Sequence, residues 1–263
     1  MTSHNRILAV GVLGSALLGG ATQAAAQDTF NWSGRVAAGD AIEIRGIGGD
    51  IRAVASSGDE VRVSARKSAR RSNPDEVRIE VVEHAGGVTI CAVYPAPSNR
   101  PPNECRPGGG GNNNTRNNDV EVAFTVEVPR GVNFVGRNVN GNVSATSLSS
   151  EVRAYTVNGS VNASTSEIAE ATTVNGSVRV SMGRTNWNGD LEFESVNGTV
   201  DVSIGGEVNT DVTASTVNGS ISSDFPLTVR GRFGPKRLTG TIGNGGRSLT
   251  LTTVNGNIEL RRM

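Results

Sequence analysis

The sequence predicts an all-β chain built as a parallel β-solenoid of about eight short coils, and three observations predict it. The triplet Val-Asn-Gly recurs at Val139, Val157, Val174, Val196, Val217 and Val254. Short runs on either side alternate apolar and polar residues, as in Leu191-Glu192-Phe193-Glu194-Ser195 before one triplet and Val200-Asp201-Val202-Ser203-Ile204 after it. Alternation with period two in β-branched residues marks half-buried strands, and no stretch of residues 27–263 carries a helical period.

The first element to justify is the repeat itself. The triplets lie 18, 17, 22, 21 and 37 residues apart, within a wider pattern of Thr or Ser, Val, Asn, Gly, a polar residue, then Val or Ile. Leu238-Thr239-Gly240-Thr241-Ile242 reads as a degenerate copy that splits the last gap into 21 and 16, and Ile47-Gly48-Gly49-Asp50-Ile51 as a relic far upstream. Asn-Gly between alternating strands is also a strong hairpin signal, so an antiparallel β-meander competes. A meander gives no reason for near-identical six-residue copies. A solenoid stacks equivalent residues about 4.8 Å apart, where side-chain amides pass hydrogen bonds from coil to coil. The structural set is therefore Asn140, Gly141, Asn158, Gly159, Asn175, Gly176, Asn197, Gly198, Asn218, Gly219, Asn255 and Gly256. In this reading Gly supplies φ > 0 at the corner and Val fills the interior. Asn255 is expected to end the ladder.

The remaining elements follow along the chain. Residues 1–26 read as a secretory signal peptide, with an apolar Ile7–Ala21 and a small-residue Ala24-Ala25-Ala26 before Gln27. Residues 27–263 then form a single β-solenoid domain, and no later apolar run is long enough for stable membrane insertion. Phe30–Glu83 is strand-rich and is expected to supply the first coils and a cap over the open end. A Pro-, Gly- and Asn-rich insertion at about 95–119 is expected to be disordered. Cys91 and Cys105, the two cysteines of an exported chain, are expected to form a disulfide closing the first half of that insertion.

These residues have a likeness. Val126-Glu127-Val128-Pro129-Arg130-Gly131-Val132 followed by repeated Val-Asn-Gly-Ser-Val units resembles the family of bacterial β-strand-repeat proteins called "putative adhesin", a domain of unknown function. Ile42-Glu43-Ile44-Arg45-Gly46-Ile47-Gly48-Gly49-Asp50-Ile51 is similar to that family's opening coil, and the likeness runs from about Asp40 onward. It implies a β-helix-like fold and an envelope location, and supplies no catalytic residues.

Composition bounds the function. Twenty-five basic residues balance 25 acidic ones, so no global charge draws the chain to nucleic acid. Beyond the signal only His84 remains, which excludes a His-pair metal site, and no cofactor or metal is expected. Polysaccharide-active β-helices need clustered carboxylates, but Asp190, Asp201, Asp211 and Asp224 do not occupy equivalent repeat positions. Sugar binding uses aromatic platforms, for which Trp32, Tyr155 and above all Trp187, in a variable loop, are candidates; Trp187 is the possible ligand contact. Arg66-Lys67-Ser68-Ala69-Arg70-Arg71 and Arg230-Gly231-Arg232 with Lys236-Arg237 are basic clusters, most simply solvated faces. The expectation is a non-catalytic envelope protein, periplasmic, secreted or at the cell surface. It would be an adhesin-like binding or scaffolding surface for an envelope polymer or protein. The rivals are a carbohydrate-active β-helix enzyme and an envelope-stress accessory that binds a protein partner.

Overall fold

Alternation along each strand decides what meets inside. In Leu191–Asn197 the side chains of Leu191, Phe193 and Ser195 are buried, and in Val200–Ile204 those of Val200, Val202 and Ile204. The Asn-Gly corner between these strands turns the chain from one sheet to the other, so the two buried faces meet. A computed structural model describes residues 29–109, 114–230 and 235–263. The expected signal peptide lies outside them, as do residues 110–113 of the insertion and Gly231-Arg232 of the second basic cluster.

The described residues form a ten-stranded and an eleven-stranded sheet, and each coil gives one strand to each. Along the axis, coil one is Gly87–Val93 with Glu121–Val128, coil two is Ala41–Arg45 with Ile51–Ala55, and coil three is Asn133–Arg137 with Val143–Leu148. Coil four is Val152–Tyr155 with Val161–Thr165, coil five Ala169–Asn175 with Val178–Met182, and coil six Leu191–Asn197 with Val200–Ile204. Coil seven is Arg247–Asn255 with Ile258–Arg262, and coil eight Thr210–Asn218 with Ile221–Ser223. All pairing between coils is parallel. The register stacks like on like: Phe124, Ile51, Val143, Val161, Val178, Val200, Ile258 and Ile221 form one column. Burying each such side chain contributes about 1.5–3 kcal/mol. Gly136 makes room in coil three, where a Cβ would meet Val143 Cγ1 at 2.6 Å and the Phe134 ring at 3.1 Å.

Axial order departs from sequence order at both ends. Coil two precedes coil one in the chain, and coil seven, the later segment, lies between coils six and eight. Asn255 is therefore an interior position, and Asn218 ends the ladder, contrary to the order of the triplets. Leu238–Ile242 is not a degenerate coil. It lies in Lys236–Ile242, which pairs antiparallel with Thr210–Asn218 and with Thr228–Arg230, so the 37-residue gap is a detour through a capping hairpin. At the other end Thr29–Gly34, Val61–Ser68 and Arg78–His84 add antiparallel strands outside coil one. Antiparallel pairing is thus confined to the caps, and the meander does not describe the body.

The described parts of the insertion are attached to coil one and are not an unstructured excursion. Cys91 and Cys105 form a disulfide with Cα atoms 5.6 Å apart. With Val93 and the half-buried Val82 they make a small second core on the outer face of the sheet. The buried Asn103 amide donates to Tyr94 O and Asn114 O at 2.9 and 2.8 Å, and the Tyr94 hydroxyl donates to Val120 O at 2.6 Å. Burial pushes the Tyr94 phenol up to about 12.

Candidate functional site

The corner is built one position at a time. Thr156, Thr173, Ser195, Thr253 and Thr216 continue the inward alternation, and each hydroxyl donates to a glycine carbonyl of the neighbouring coil: Gly141, Gly159, Gly176, Gly198 and Gly256, at 2.7–2.9 Å. Asn138 does the same for Gly49 O, and Lys236 Nζ of the capping hairpin donates to Gly219 O at the far end. Buried carbonyls left unpaired are costly, which explains a hydroxyl residue two places before Asn.

From coil four onward the next residue, valine, points outward and not into the core, whereas Val139 of coil three is half-buried against it. Val157, Val174, Val217 and Val254 are 37–41% exposed. The interior place was already taken by Thr or Ser, and strand alternation sends its neighbour out.

The asparagines come next. Asn158, Asn175, Asn197, Asn255 and Asn218 each donate an Nδ2–H to the Oδ1 of the preceding asparagine in the stack, which begins at Asn140, all at 2.8 Å. An interior amide so spends one donor and one acceptor and turns the other of each to solvent.

Glycine follows because the coils touch there. A Cβ on Gly159, Gly176, Gly198, Gly256 or Gly219 would fall on the carbonyl oxygen of the glycine in the next coil. Close approach is the common requirement, while φ in the left-handed range occurs at Gly141 and Gly176 (136° and 154°) and not throughout. The polar residue after glycine closes the motif. Asn142 Oδ1 accepts Ser160 N–H, Ser160 Oγ accepts Ser177 N–H, and Asn257 Oδ1 accepts Ser220 N–H, at 2.9–3.1 Å. The product is a straight outer strip of paired valine and asparagine rows over coils three to eight.

A second feature adjoins the start of this strip. Arg45, Arg137, Asn138, Val139, Asn103 and Glu104 line a cleft of about 180 Å³ between the first coils and the insertion. Glu43, 6% exposed, accepts at Oε1 from Arg137 Nε (3.0 Å) and at Oε2 from the Thr89 hydroxyl (3.1 Å) and Gly108 N–H (2.9 Å). The Arg137 guanidinium stacks on Tyr155 at 4.3 Å. Burial lowers the Arg45 guanidinium from its ordinary value; Glu43 opposes that shift and Arg137 adds to it. Gly86 N–H donates to His84 Nδ1 and Thr89 donates to Glu43, so His84 Nε2–H donates to Thr89 Oγ1 at 3.0 Å. In that tautomer the imidazole holds the hydroxyl in place and does not take its proton.

The model of the Toastrack domain, DUF4097, matches residues 133–261. Those residues are similar to the Toastrack domain, a domain of unknown function. The Toastrack span begins at coil three. Coils one and two and the insertion precede it, although coil two continues the same register through Ile42 against Phe134 and Gly48 against Asn140. A "putative cell adhesion protein" from Clostridium sporogenes ATCC 15579 is similar in structure, with 12% identity over 90% of this chain and 100% of that one and a TM-score of 0.48. So is a "putative adhesin" from Bacteroides fragilis NCTC 9343, with 12% identity over 88% and 96% and a TM-score of 0.33. No curated protein matches the sequence.

Within the Toastrack span the expected ligand contact is corrected. Trp187 is 2% exposed and its indole N–H donates to Ser248 O at 3.3 Å. The variable loop folds it over the coil edge, where a large apolar ring gains more from burial than from solvent. The four aspartates do not converge either. Asp201 sits between Arg179 (3.7 Å) and Arg261 (3.3 Å) on one sheet's outer face. Asp211 is held below the usual carboxylate range by the Thr241 hydroxyl and Gly246 N–H beside the capping hairpin. Asp224 accepts Arg262 N–H, and Asp190 lies exposed just ahead of Leu191–Asn197. Among the described residues no cluster of three His, Cys, Asp or Glu could hold a metal, and no helix is long and apolar enough to cross a membrane. Sequence reasoning missed Arg45, Arg137 and Glu43, whose only signal was three charged residues on strands otherwise rich in Ile, Val and Phe.

Proposed function

We propose that this protein is a non-catalytic binding or scaffolding protein of the bacterial envelope, acting outside the cytoplasm through its outer corner strip. The strip carries the reading. Each interior coil offers one free amide donor and one free acceptor, beside an exposed valine in coils four, five and seven and a half-buried Val196 in coil six, repeated at about 4.8 Å. A rigid row of alternating apolar and hydrogen-bonding groups suits an extended polymer, which gains from many weak contacts in register. The Cys91–Cys105 disulfide supports an oxidising compartment, periplasmic or at the surface. The scattered aspartates, of which Asp201 is ion-paired and Asp211 and Asp224 are hydrogen-bonded, favour this reading over a carbohydrate-active enzyme, which needs two carboxylates facing one bond.

The test is co-sedimentation of purified protein with envelope polysaccharide and with peptidoglycan, with turnover followed by released reducing ends. Saturable binding without turnover is expected, and Val157→Lys/Val174→Lys/Val254→Lys should abolish it, since these outward side chains do not support the core. Turnover, or undiminished binding by the triple variant, would overturn the proposal. Capture of a single envelope protein in place of polymer would instead favour the accessory role.

A further inference from the structure

We propose that the cleft formed by Arg45 and Arg137 is a binding site for a single carboxylate group. Arg45 and Arg137 are direct neighbours on parallel strands, Cα partner to Cα partner, and both reach the same cleft. Like charges placed side by side on a sheet oppose each other. Burial is what most lowers the Arg45 guanidinium; Glu43 opposes that shift, and Arg137 adds a smaller lowering. Keeping both guanidinium groups in a recess that burial partly desolvates disfavours their charge, and an anionic ligand offsets this.

The recess is also built. Glu43 holds Arg137 through Nε and the Tyr155 ring fixes the guanidinium plane, so the fork is oriented before any ligand arrives. Arg45 is fixed by its Nη1–H bond to Arg106 O in the insertion. The disulfide and the buried Asn103 hold the opposite wall. A planar fork held in place recognises a carboxylate through two parallel hydrogen bonds.

The charge balance selects the ligand. Arg45 and Arg137 bring two positive charges and Glu43 one negative; Glu104, on the wall, is paired with Arg106. One net positive charge remains, which suits a monoanion better than a dianionic phosphate. At about 180 Å³ the cleft is smaller than the 300–1,000 Å³ of sites that enclose whole ligands. It therefore fits the acidic group of a larger molecule, such as a uronic acid unit or a peptide C-terminus. This site stands independently of the corner strip.

The experiment titrates 15N-arginine-labelled protein with sodium glucuronate, with sodium acetyl-alanine as the peptide-type carboxylate. Glucose and inorganic phosphate are added separately at matched ionic strength, and the Arg45 and Arg137 Nε–H resonances are followed. Saturable shifts with either carboxylate and none with glucose are expected, and the tighter of the two tells sugar acid from peptide terminus. Arg45→Gln should weaken binding about tenfold or more, as loss of a charge-assisted contact implies. Glu104→Gln, at an exposed wall position that supports no core, should tighten it severalfold, an effect that misfolding cannot mimic. Carboxylates that give no saturable shift, phosphate that binds more tightly than both, or a Glu104→Gln variant that binds more weakly would each overturn the assignment.

Discussion

Asn255→Ala separates the axial order of the coils from their order in the sequence. By position in the chain Asn255 carries the final triplet; in the stack its Nδ2–H goes to Asn197 and its Oδ1 receives Asn218. The substitution removes two amide hydrogen bonds, as does Asn197→Ala, whose bonds run to Asn175 and Asn255. Asn218→Ala removes one. A protein hydrogen bond contributes about 0.5–1.5 kcal/mol net, and these asparagines are exposed, so water replaces part of what is lost. The expected costs are about 1–2 kcal/mol for Asn255→Ala and Asn197→Ala, and about half that for Asn218→Ala. Urea unfolding followed by circular dichroism reads these as midpoint shifts at constant slope. If Asn255→Ala costs no more than Asn218→Ala, coil seven does not lie between coils six and eight and the ladder is misassigned.

Other outcomes follow from the same corner and its surroundings. Gly198→Ala should destabilise by more than about 4 kcal/mol, because its Cβ would collide with the Gly176 carbonyl and neither backbone can yield; soluble yield and melting temperature check this. Breaking the Cys91–Cys105 bond with Cys105→Ser should cost about 3 kcal/mol for a loop of 14 residues' separation, measured as the urea midpoint with and without reductant. Tyr94 and Tyr155 are both raised to about 12 by burial, with the Glu170 hydrogen bond adding to the second. The folded state therefore holds protons that the unfolded chain releases near pH 10. Their contribution is complete below about pH 10 and lost as the pH rises toward about 12, and Tyr94→Phe should flatten that alkaline decline in melting temperature.

Much of the body was legible because repetition is a physical constraint. Near-identical Asn-Gly copies make sense only where they touch, and that selected parallel coils over separate hairpins. The pairing of Cys91 with Cys105 needed only their number and the inferred compartment. The placement of valine was legible and misread. Carrying the alternation of Leu249, Leu251 onward puts Thr253 inside and Val254 outside, and the hydroxyl column is the reason a polar residue is tolerated there. Coil order was not legible. A gap of 37 residues is equally long whether the chain adds a coil or detours through a cap and returns to an earlier edge. Trp187 and the arginine cleft depend on how variable segments fold back over the sheets, which no periodicity reports. Glu43, Arg45 and Arg137 come together through pairing between strands more than ninety residues apart in part, as the Arg137–Glu43 separation of 94 shows.

Placing the Arg247–Arg262 segment between two older neighbours has a consequence for biogenesis. Coil six has no permanent cover until residue 262 has left the ribosome and, in an exported chain, crossed the membrane. Until then its open strand edges must be shielded or risk joining another copy. A nascent chain halted before Arg247 would keep all of coils one to six and still be sticky along one rim. The stack closes only when the late segment takes its place, which ties correct shape to delivery of residues 247–262.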